Sequence, residues 1–372
     1  MISGKTIVFL PTVAWNRNWQ RQQEWASRLA EHNKVIYVAP YGMTSMGPLT
    51  VLKKLRRDKG FAYKHVVSKS ARANILHTRL IFIPIRNTRV LTWLNARWMQ
   101  RQLTTLGVSD SNDTVFWICN PADTSVALLE RYRNVVSIYD VAMRFTLLPD
   151  APPWLARSQN QLARRVDSIL CDSHAVMDDL PADTLYKTNY VPQGFNQSTQ
   201  DKTIDEHPEV RDIPHPRAVY IGLDTVLDLA PLKACLNAIP SLNIIMIGPL
   251  DPTLLAHPRV HWVGPVNVDQ KDAYMIGSDV GLIPYTVNAY TAGTFPTKFF
   301  EYLALGIPVV STDLAELRLF EPHVRLAKTS ADFVAHVRSA IQSKPARPDD
   351  FLQNHSWQRR YQRVQSILMR LL

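Results

Sequence analysis

The sequence contains no apolar run that approaches the roughly 18–20 residues of a membrane-spanning helix. Its first residues, MISGKTIVFLP, show no secretory pattern, and their short apolar stretch is typical of a first strand. Only three cysteines occur in 372 residues, far apart and in no metal-binding pair. We therefore expect reduced thiols and a cytoplasmic protein.

Several ligand-binding motifs are also missing. No G-x-G-x-x-G follows a predicted first strand, which argues against a dinucleotide-dependent dehydrogenase. Gly4-Lys5-Thr6 resembles the end of a P-loop, but the upstream glycine is missing and Thr6 begins a strand. No Asp-x-Asp pair is present to hold a divalent metal against a diphosphate. We therefore expect no metal site and no cofactor, and any diphosphate would bind without a metal.

The composition is typical of a folded protein with two domains. Hydrophobic residues make up 46% of the chain and charged residues 20%, which argues against disorder. A chain of 372 residues exceeds one ordinary hydrophobic core. The net charge of +10 favours an acidic partner, such as an anionic lipid, a phosphorylated substrate or nucleic acid.

Basic residues concentrate in the stretches Lys53–Lys59 and Arg86–Arg101. In the second stretch, arginines are interleaved with Trp93, Leu94 and Trp98 at helical spacing. This pattern is typical of an amphipathic helix on an anionic membrane surface, and it predicts a peripheral location at the inner membrane face. A helix packed on its domain, with a solvated basic edge, accounts for the same pattern.

Short apolar strand patterns alternate with helical patterns along most of the chain. The predicted strands of the first half are Thr6–Leu10, Val35–Val38, Leu80–Ile85, Val115–Cys119, Val135–Tyr139, Ser168–Cys171 and Tyr190–Val191. Those of the second half are Ala218–Ile221, Ile244–Ile247, Val260–Val263, Val280–Ile283 and Val309–Ser311. This alternation predicts two α/β domains, each a doubly wound, Rossmann-like parallel sheet, with a cleft between them.

The domain boundaries follow from a break in this pattern. A polar, proline-containing stretch is predicted to be a linker at 196–217, between an acceptor-binding N-terminal domain at 1–195 and a C-terminal domain at 218–350. Residues 351–372 are predicted to contain a C-terminal helix.

The segment Val280–Thr312 carries the strongest functional signal. A strand ends at Pro284-Tyr285, and Pro296 suits the first position of a helix whose free N–H groups form an anion site. Lys298 in the first turn opposes the helix dipole, which makes sense if a diphosphate binds there. Glu301, one turn deeper, can accept hydrogen bonds from ribose or sugar hydroxyls. Alternatively, Lys298 and Glu301 form an exposed pair behind an ordinary helix start.

This segment resembles the donor-site signature of GT-B glycosyltransferases in the family 4-like group. The matching run is Pro296-x-Lys298-x-x-Glu301-Tyr302-Leu303-Ala304-x-Gly306-x-Pro308-Val309-Val310. Further matches are Val219-Tyr220-Ile221-Gly222 with Asp228, Ile247-Gly248-Pro249, His261-Trp262-Val263-Gly264, and Trp15-x-x-x-Trp19-Gln20-Arg21-x-Gln23. The sequence is most similar to the teichuronic-acid-type transferases of cell-surface polysaccharide synthesis. The resemblance implies a GT-B fold and a nucleotide-sugar donor, taken here as a UDP-sugar. It also implies that the C-terminal helix of residues 351–372 packs back on the N-terminal domain.

The resemblance also implies roles for individual residues. Lys298 and the N–H groups around Thr297 would hold the donor diphosphate, and Glu301 would bind ribose hydroxyls. The backbone of Val263–Gly264 would contact the base, and Gly222 would let its loop approach the phosphates. The implied donor-binding residues are Gly222, Val263, Gly264, Tyr285, Thr294, Thr297, Lys298 and Glu301.

The sequence departs from the family pattern at several positions. Many members carry two glutamates eight residues apart, and the earlier position here is Gly293. It lies in the loop Tyr290–Thr294, which would face the sugar. Leu223 and Asp224 replace the basic residue that often follows the first glycine loop. These changes affect groups that would position the donor sugar.

Three residues of the first half are candidates for acting on the acceptor. Asp140 follows the predicted strand Val135–Tyr139 and could be the base that inverting transfer requires, or could cap the next helix. Related sequences carry Y-D-x-x-D there, and Met143 occupies the second acidic position. Arg17 and Arg21 could bind an anionic acceptor such as a lipid-linked diphosphate, or could lie at the edge of a tryptophan-packed domain.

The sequence thus predicts a metal-independent glycosyltransferase that moves a sugar from a nucleotide-sugar donor to a glycan or lipid-linked acceptor, with no nucleic-acid partner. A GT-B-type nucleotide-sugar epimerase is a second interpretation, although it needs acid–base groups on both sides of a sugar carbon. A third is a non-enzymatic protein that binds a membrane surface or nucleic acid through its basic stretches, although the sequence contains no recognised nucleic-acid module.

Overall fold

A computed structural model describes residues 1–16, 19–41, 74–80, 89–148, 151–196, 204–267, 269–342 and 346–372. The chain divides into two units. Unit 1 comprises Met1–Val191 together with Tyr361–Leu372, and unit 2 comprises Pro192–Arg360. Residues 196 and 204–217, the described part of the stretch predicted to be a linker, belong to unit 2, where Val210 is part of the core.

Unit 1 contains a parallel sheet whose described strands run in the order β3-β2-β1-β4-β5-β6-β7. The strands are β1 Thr6–Leu10, β2 Lys34–Val38, β3 Ile75–Thr78, β4 Thr114–Ile118, β5 Val136–Val141, β6 Ser168–Cys171 and β7 Thr188–Tyr190. β1, β4, β5 and β6 are almost wholly buried, as expected for a parallel sheet covered on both faces. The strand order reverses between β1 and β4, which is where ligands bind in doubly wound folds.

Helices connect these strands. They are α1 Arg21–Ala30, α2 Arg89–Thr105, α3 Asp123–Leu129, α4 Leu155–Arg165 and α5 His174–Asp178, with 3₁₀ turns at Phe145–Leu147 and Ala182–Lys187. Ser173 caps α5 by accepting a hydrogen bond from the N–H of Val176.

Unit 2 repeats this architecture with the described strand order β10-β9-β8-β11-β12-β13, again parallel throughout. Its strands are β8 Arg217–Ile221, β9 Asn243–Ile247, β10 Val260–Gly264, β11 Val280–Ile283, β12 Val309–Thr312 and β13 Val324–Ala327. The order reverses between β8 and β11. The carboxyl ends of these strands and of β9 are therefore the expected place for a ligand.

The helices of unit 2 include the predicted donor-site helix. They are α6 Pro208–Arg211, α7 Leu229–Ala238, α8 Lys271–Met275, α9 Lys298–Ala304, α10 Ser330–Gln342 and α11 Asp349–Asn354. Regular α9 begins at Lys298, two residues later than predicted from Pro296. The reason is that the N–H of Phe299 bonds to the carbonyl of Pro296 and that of Phe300 to Thr297, a tight first turn.

The C-terminal helix, α12 Trp357–Leu371, begins in unit 2, and from Tyr361 its residues pack in unit 1. The Tyr361 hydroxyl donates to the carbonyl of Arg28 at 3.0 Å. The side chain of Gln365 accepts a hydrogen bond from the N–H of Ile2 at 2.7 Å. Among the described residues, no helix is both long and apolar enough to cross a membrane.

The predicted strands match the structure except at three sheet edges. The prediction Tyr190–Val191 overlaps β7, Thr188–Tyr190, by a single residue. The prediction Leu80–Ile85 is wrong at its start, because β3 is Ile75–Thr78 and Leu80 lies beyond it. Residues 81–85 lie outside the described ranges. Strand β13, Val324–Ala327, was not predicted. Strands β3 and β13 lie at the edge of their described sheets and are only half buried, so they carry a weak apolar pattern.

Candidate functional site

The ends of β8 and β9 meet at two glycines in unit 2. The N–H of Gly222 donates to the carbonyl of Ile247, and the N–H of Gly248 donates to that of Gly264 at 2.8 Å. A Cβ on Gly248 would collide with the carbonyl oxygen of Gly222, and its φ of 131° is in the region that favours glycine. Gly222 was predicted to approach the phosphates of the donor, and Gly264 to contact its base. The structure places both glycines at the same edge of the sheet.

Lys298 lies against this edge. A Cβ added to Gly222 would be 2.5 Å from the Lys298 Nζ and 2.7 Å from the Tyr220 hydroxyl. The Lys298 ammonium is 4.1 Å from the ring centroid of Tyr220 and 4.8 Å from that of Tyr285. Gly222 is thus the residue whose missing side chain makes room for the lysine, and two aromatic rings support its charge.

The ammonium group of Lys298 is buried. The residue is 6% exposed, and its Nζ has no hydrogen bond to any described residue. Burial lowers the pKa of Lys298 to about 7, and Glu301 opposes that shift only in part. An unpaired buried cation is costly, which makes it a strong candidate for binding an anion.

Helix α9 is fixed to the sheet by Tyr302. Its hydroxyl donates to the carbonyl of Val219 at 3.2 Å and accepts from the N–H of Ile221 at 3.1 Å. The ring is wholly buried and lies against Gly281, where a Cβ would clash with it. This anchor sets the position of Lys298, one turn earlier, relative to the end of β8.

Glu301 forms an ion pair that the sequence did not predict. Its Oε1 is 2.5 Å from the Nζ of Lys271, which begins α8. The two side chains are 27% and 22% exposed, so both charges remain in contact with solvent. The exposed Lys298–Glu301 pair considered from the sequence is not formed, because Lys298 is buried and Glu301 pairs elsewhere.

The other predicted donor-site residues occupy the surrounding loops. Val263 and Gly264 end β10 and are half buried. Thr297 is exposed at the N-cap of α9 and makes no side-chain capping bond. The Thr294 hydroxyl donates to the carbonyl of Tyr290 at 3.3 Å. The contacts that define the candidate site thus involve Gly222, Tyr285, Lys298 and Glu301, with Thr294 and Thr297 on the preceding loop.

In unit 1 two residues with predicted roles are buried and paired with each other. Asp140, expected to be a base, is 2% exposed, and its Oδ1 is 2.8 Å from the Nε of Arg21. Its Oδ2 accepts from the indole of Trp117 at 3.2 Å. Arg21, expected to bind an acceptor, also donates to the carbonyl of Val191 at 2.6 Å. The two candidates neutralise each other inside the domain, which favours a structural role. Arg17 lies outside the described residues.

The predicted basic, aromatic helix corresponds to α2. Trp93 is 49% and Trp98 39% exposed, and the guanidinium groups of Arg97 and Arg131 lie 5.5 and 5.9 Å from the ring centroid of Trp93. A groove of about 700 Å³ runs between α2, α3 and α4. Its charged and aromatic lining residues are Arg89, Trp93, Asp123, Glu130, Arg131, Trp154 and Arg157. Lys53–Lys59 lie outside the described residues.

Two residues of the candidate site, Tyr220 and Lys271, were not predicted from the sequence. Tyr220 sits in the quoted strand Val219–Gly222, where an aromatic residue is expected in the core. Lys271 begins a helical segment that carried no other signal. The sequence signal for Tyr220 was its place in the matching run Val219-Tyr220-Ile221-Gly222, and none was available for Lys271.

The chain is similar to known glycosyltransferases. Residues 218–343 match the family model for glycosyl transferases group 1. Over 183 residues the chain is 29% identical to the putative teichuronic acid biosynthesis glycosyltransferase TuaH of Bacillus subtilis (strain 168). That alignment spans 44% of this chain and 45% of the relative, so the chain matches less than half the length of that protein.

Solved structures match almost the whole chain at low sequence identity. Sucrose-phosphate synthase from Thermosynechococcus elongatus superposes with a TM-score of 0.69 and 12% identity, covering 99% of each chain. Anabaena HepE in complex with UDP and glucose gives a TM-score of 0.66 and 13% identity, covering 98% of this chain and 99% of that one. Residues 218–343 are therefore similar to the glycosyl transferases group 1 family, and the chain has the two-sheet, Rossmann-like α/β fold of GT-B glycosyltransferases.

Proposed function

We propose that this chain is a glycosyltransferase that takes a sugar from a UDP-sugar and transfers it to a glycan or lipid-linked acceptor in cell-surface polysaccharide synthesis. The observation that carries the proposal is the Lys298 ammonium group, which is buried without a hydrogen-bond partner among the described residues, at the carboxyl ends of β8 and β11. The nucleotide is suggested by the UDP bound to Anabaena HepE, and the acceptor class by the teichuronic acid relative.

The physical argument concerns the cost of an unpaired charge. Removing an ammonium group from water without a counter-ion is unfavourable, and the two aromatic rings beside Lys298 compensate only part of that cost. A diphosphate would supply the missing negative charge and charge-assisted hydrogen bonds. The same contact would stabilise the diphosphate as it leaves the donor sugar, so the proposal assigns this task to Lys298 and not to a metal ion.

The test is a thermal-shift panel of UDP, GDP, ADP, CMP and dTDP, each measured with EDTA and with magnesium. A ligand at about 100 times its dissociation constant stabilises the folded state by roughly 2.7 kcal/mol. We expect UDP to give this shift in EDTA, and Lys298→Ala to lose it. A panel in which no nucleotide shifts the melting temperature, or in which the shift survives Lys298→Ala, contradicts the proposal.

We also propose that the enzyme works at an anionic membrane surface, on the cytoplasmic side. The support is helix α2, where Trp93 and Trp98 are exposed and the guanidinium groups of Arg97 and Arg131 lie beside the ring of Trp93. Trp93→Ala should reduce co-sedimentation with phosphatidylglycerol vesicles relative to phosphatidylcholine vesicles. Tyr186→Ala is the matched control, because Tyr186 is an 85% exposed aromatic residue elsewhere in unit 1. Equal loss in both variants would exclude α2 as the binding face.

A further inference from the structure

The charges of the candidate donor site are paired in an unexpected way. Lys298 and Glu301 lie three residues apart on α9, a spacing at which opposite charges on a helix ordinarily meet. Glu301 pairs instead with Lys271 of α8, at 2.5 Å. Among the described residues, the Lys298 Nζ is left without a hydrogen bond. The Glu301 carboxylate therefore pairs with Lys271, which is more exposed than Lys298.

We propose that Lys271 is a positioning residue of the donor site. By holding Glu301, it keeps that carboxylate away from Lys298 and leaves the buried ammonium free for the donor diphosphate. It also holds the Glu301 carboxylate in place through its Oε1 atom. This inference rests on the proposed function, since it concerns how the same site is prepared for the same ligand.

Electrostatics explains why a second cation is required. Without Lys271, the nearest full positive charge on α9 for Glu301 would be Lys298, and a close pair between them would cancel the charge that attracts a phosphate. The diphosphate would then have to displace a carboxylate before it could bind. With Lys271 present, Glu301 is neutralised at the surface, where solvent supports both charges.

Other ionisable groups surround this arrangement. They are Tyr220 on β8, Tyr285 after β11, Lys271 and Asp272 on α8, and Glu301 and Tyr302 on α9. Burial raises the pKa of the three tyrosines and of Asp272. The tyrosines are therefore neutral at the pH of any binding experiment, and Glu301 is the carboxylate that acts on Lys298.

The first experiment measures binding of inorganic pyrophosphate and of UDP by calorimetry at pH 7. Lys271→Met should weaken both by roughly tenfold, a size typical of coupling between neighbouring charges. Lys271→Arg keeps the charge and should remain close to the wild type. Lys233→Met is the matched control, because Lys233 is an exposed lysine on α7 of the same unit.

The second experiment separates positioning from direct contact. In the double variant Lys271→Met with Glu301→Gln, the carboxylate that acts on Lys298 is removed, so pyrophosphate binding should recover most of the tenfold loss. If Lys271 touched the phosphate itself, the loss would persist in the double variant, and the proposal would be wrong.

The pH profile gives a readout that a purely structural role would not change. In the wild type, pyrophosphate affinity should fall as the pH rises through the pKa of Lys298, which is about 7. In Lys271→Met, Glu301 would come closer to Lys298 and hold its proton more tightly, so the fall should begin at higher pH. An unchanged midpoint contradicts the proposal.

Failure of this inference is distinguishable from failure of the proposed function. If wild-type protein binds neither UDP nor pyrophosphate, the function is wrong. If wild-type protein binds both and Lys271→Met binds them equally well, only the role of Lys271 is wrong. Circular dichroism and the melting temperature of each variant show whether it is folded.

Discussion

Replacement of Lys298 by methionine should stabilise the protein and abolish nucleoside-diphosphate binding. Methionine is close to lysine in length and apolar, so it fills the space between the rings of Tyr220 and Tyr285 without a charge to bury. Most substitutions of buried residues destabilise a protein. The opposite outcome is expected here because the native ammonium group is buried, lacks a hydrogen-bonding partner among the described residues and opposes folding.

The size of the effect follows from the pKa. Burial lowers the pKa of Lys298 from 10.5 to about 7, which corresponds to about 5 kcal/mol between its charged and neutral forms. The contacts of the ammonium group with the rings of Tyr220 and Tyr285 offset part of this cost of burying the charge, at roughly 1–2 kcal/mol each. We therefore expect Lys298→Met to raise the free energy of unfolding by about 1–3 kcal/mol at pH 6, and the melting temperature by several degrees.

The sign of the pH dependence is a further check. Below pH 7 Lys298 is protonated in the folded and unfolded states, so the full penalty applies. Between pH 7 and 10.5 the folded state has released a proton that the unfolded state retains, and wild-type stability rises with pH. The advantage of Lys298→Met should therefore shrink as the pH rises from 6 to 9.

Scanning calorimetry of both proteins across this pH range, with and without UDP, measures all of these effects. Lys233→Met serves as the surface control. A Lys298→Met variant that is less stable than the wild type at pH 6 would refute the argument, because it would identify Lys298 as an ordinary packing residue.

Three other predictions follow from the same geometry. UDP affinity should fall by up to about tenfold per pH unit above pH 7, since only protonated Lys298 binds well; calorimetric affinity that is flat from pH 6 to 9 would contradict this. Gly222→Ala should weaken UDP binding by about tenfold and destabilise the protein by about 1–3 kcal/mol, because its Cβ would displace the Lys298 ammonium or the Tyr220 hydroxyl; unchanged affinity would place the diphosphate elsewhere. Asp140→Asn should destabilise the protein by about 3–5 kcal/mol in chemical denaturation, because it leaves Arg21 buried without its counter-ion. A stable but inactive Asp140→Asn variant would instead favour a catalytic role.

The parallel sheets were predictable because their central strands are buried on both faces. β1, β4 and β9 read as short apolar runs between helical patterns, and the structure places them close to the predicted residues. The edge strands β3 and β13 were missed because their inward and outward residues give a mixed pattern.

The candidate site was only partly predictable for a related reason. Lys298 and Glu301 stand in one helix, so local spacing was enough to propose them. The partners that set their electrostatics come from distant parts of the chain: Lys271 precedes Glu301 by a strand and two loops, and Tyr220 comes from β8. Sequence spacing cannot show which of two cations a carboxylate will choose, since that depends on how α8 and α9 pack.

The ion pair between Arg21 and Asp140 illustrates the same limit. The two residues are 119 positions apart. Arg21 follows strand β1 and Asp140 lies near the end of β5, and ligand-binding side chains are expected at both places. Both were therefore predicted to face a ligand. In the structure both side chains are buried in an ion pair with each other. This pairing depends on how β5 packs against the start of α1, which sequence spacing does not show.

A crystal structure of the protein with UDP, grown near pH 6.5, tests the central claim most directly. We predict a diphosphate oxygen within about 3 Å of the Lys298 Nζ, the distance of a charge-assisted hydrogen bond. We also predict that Glu301 still pairs with Lys271. UDP bound at another place, with the Lys298 ammonium still enclosed by Tyr220 and Tyr285 and without a partner, would contradict the account.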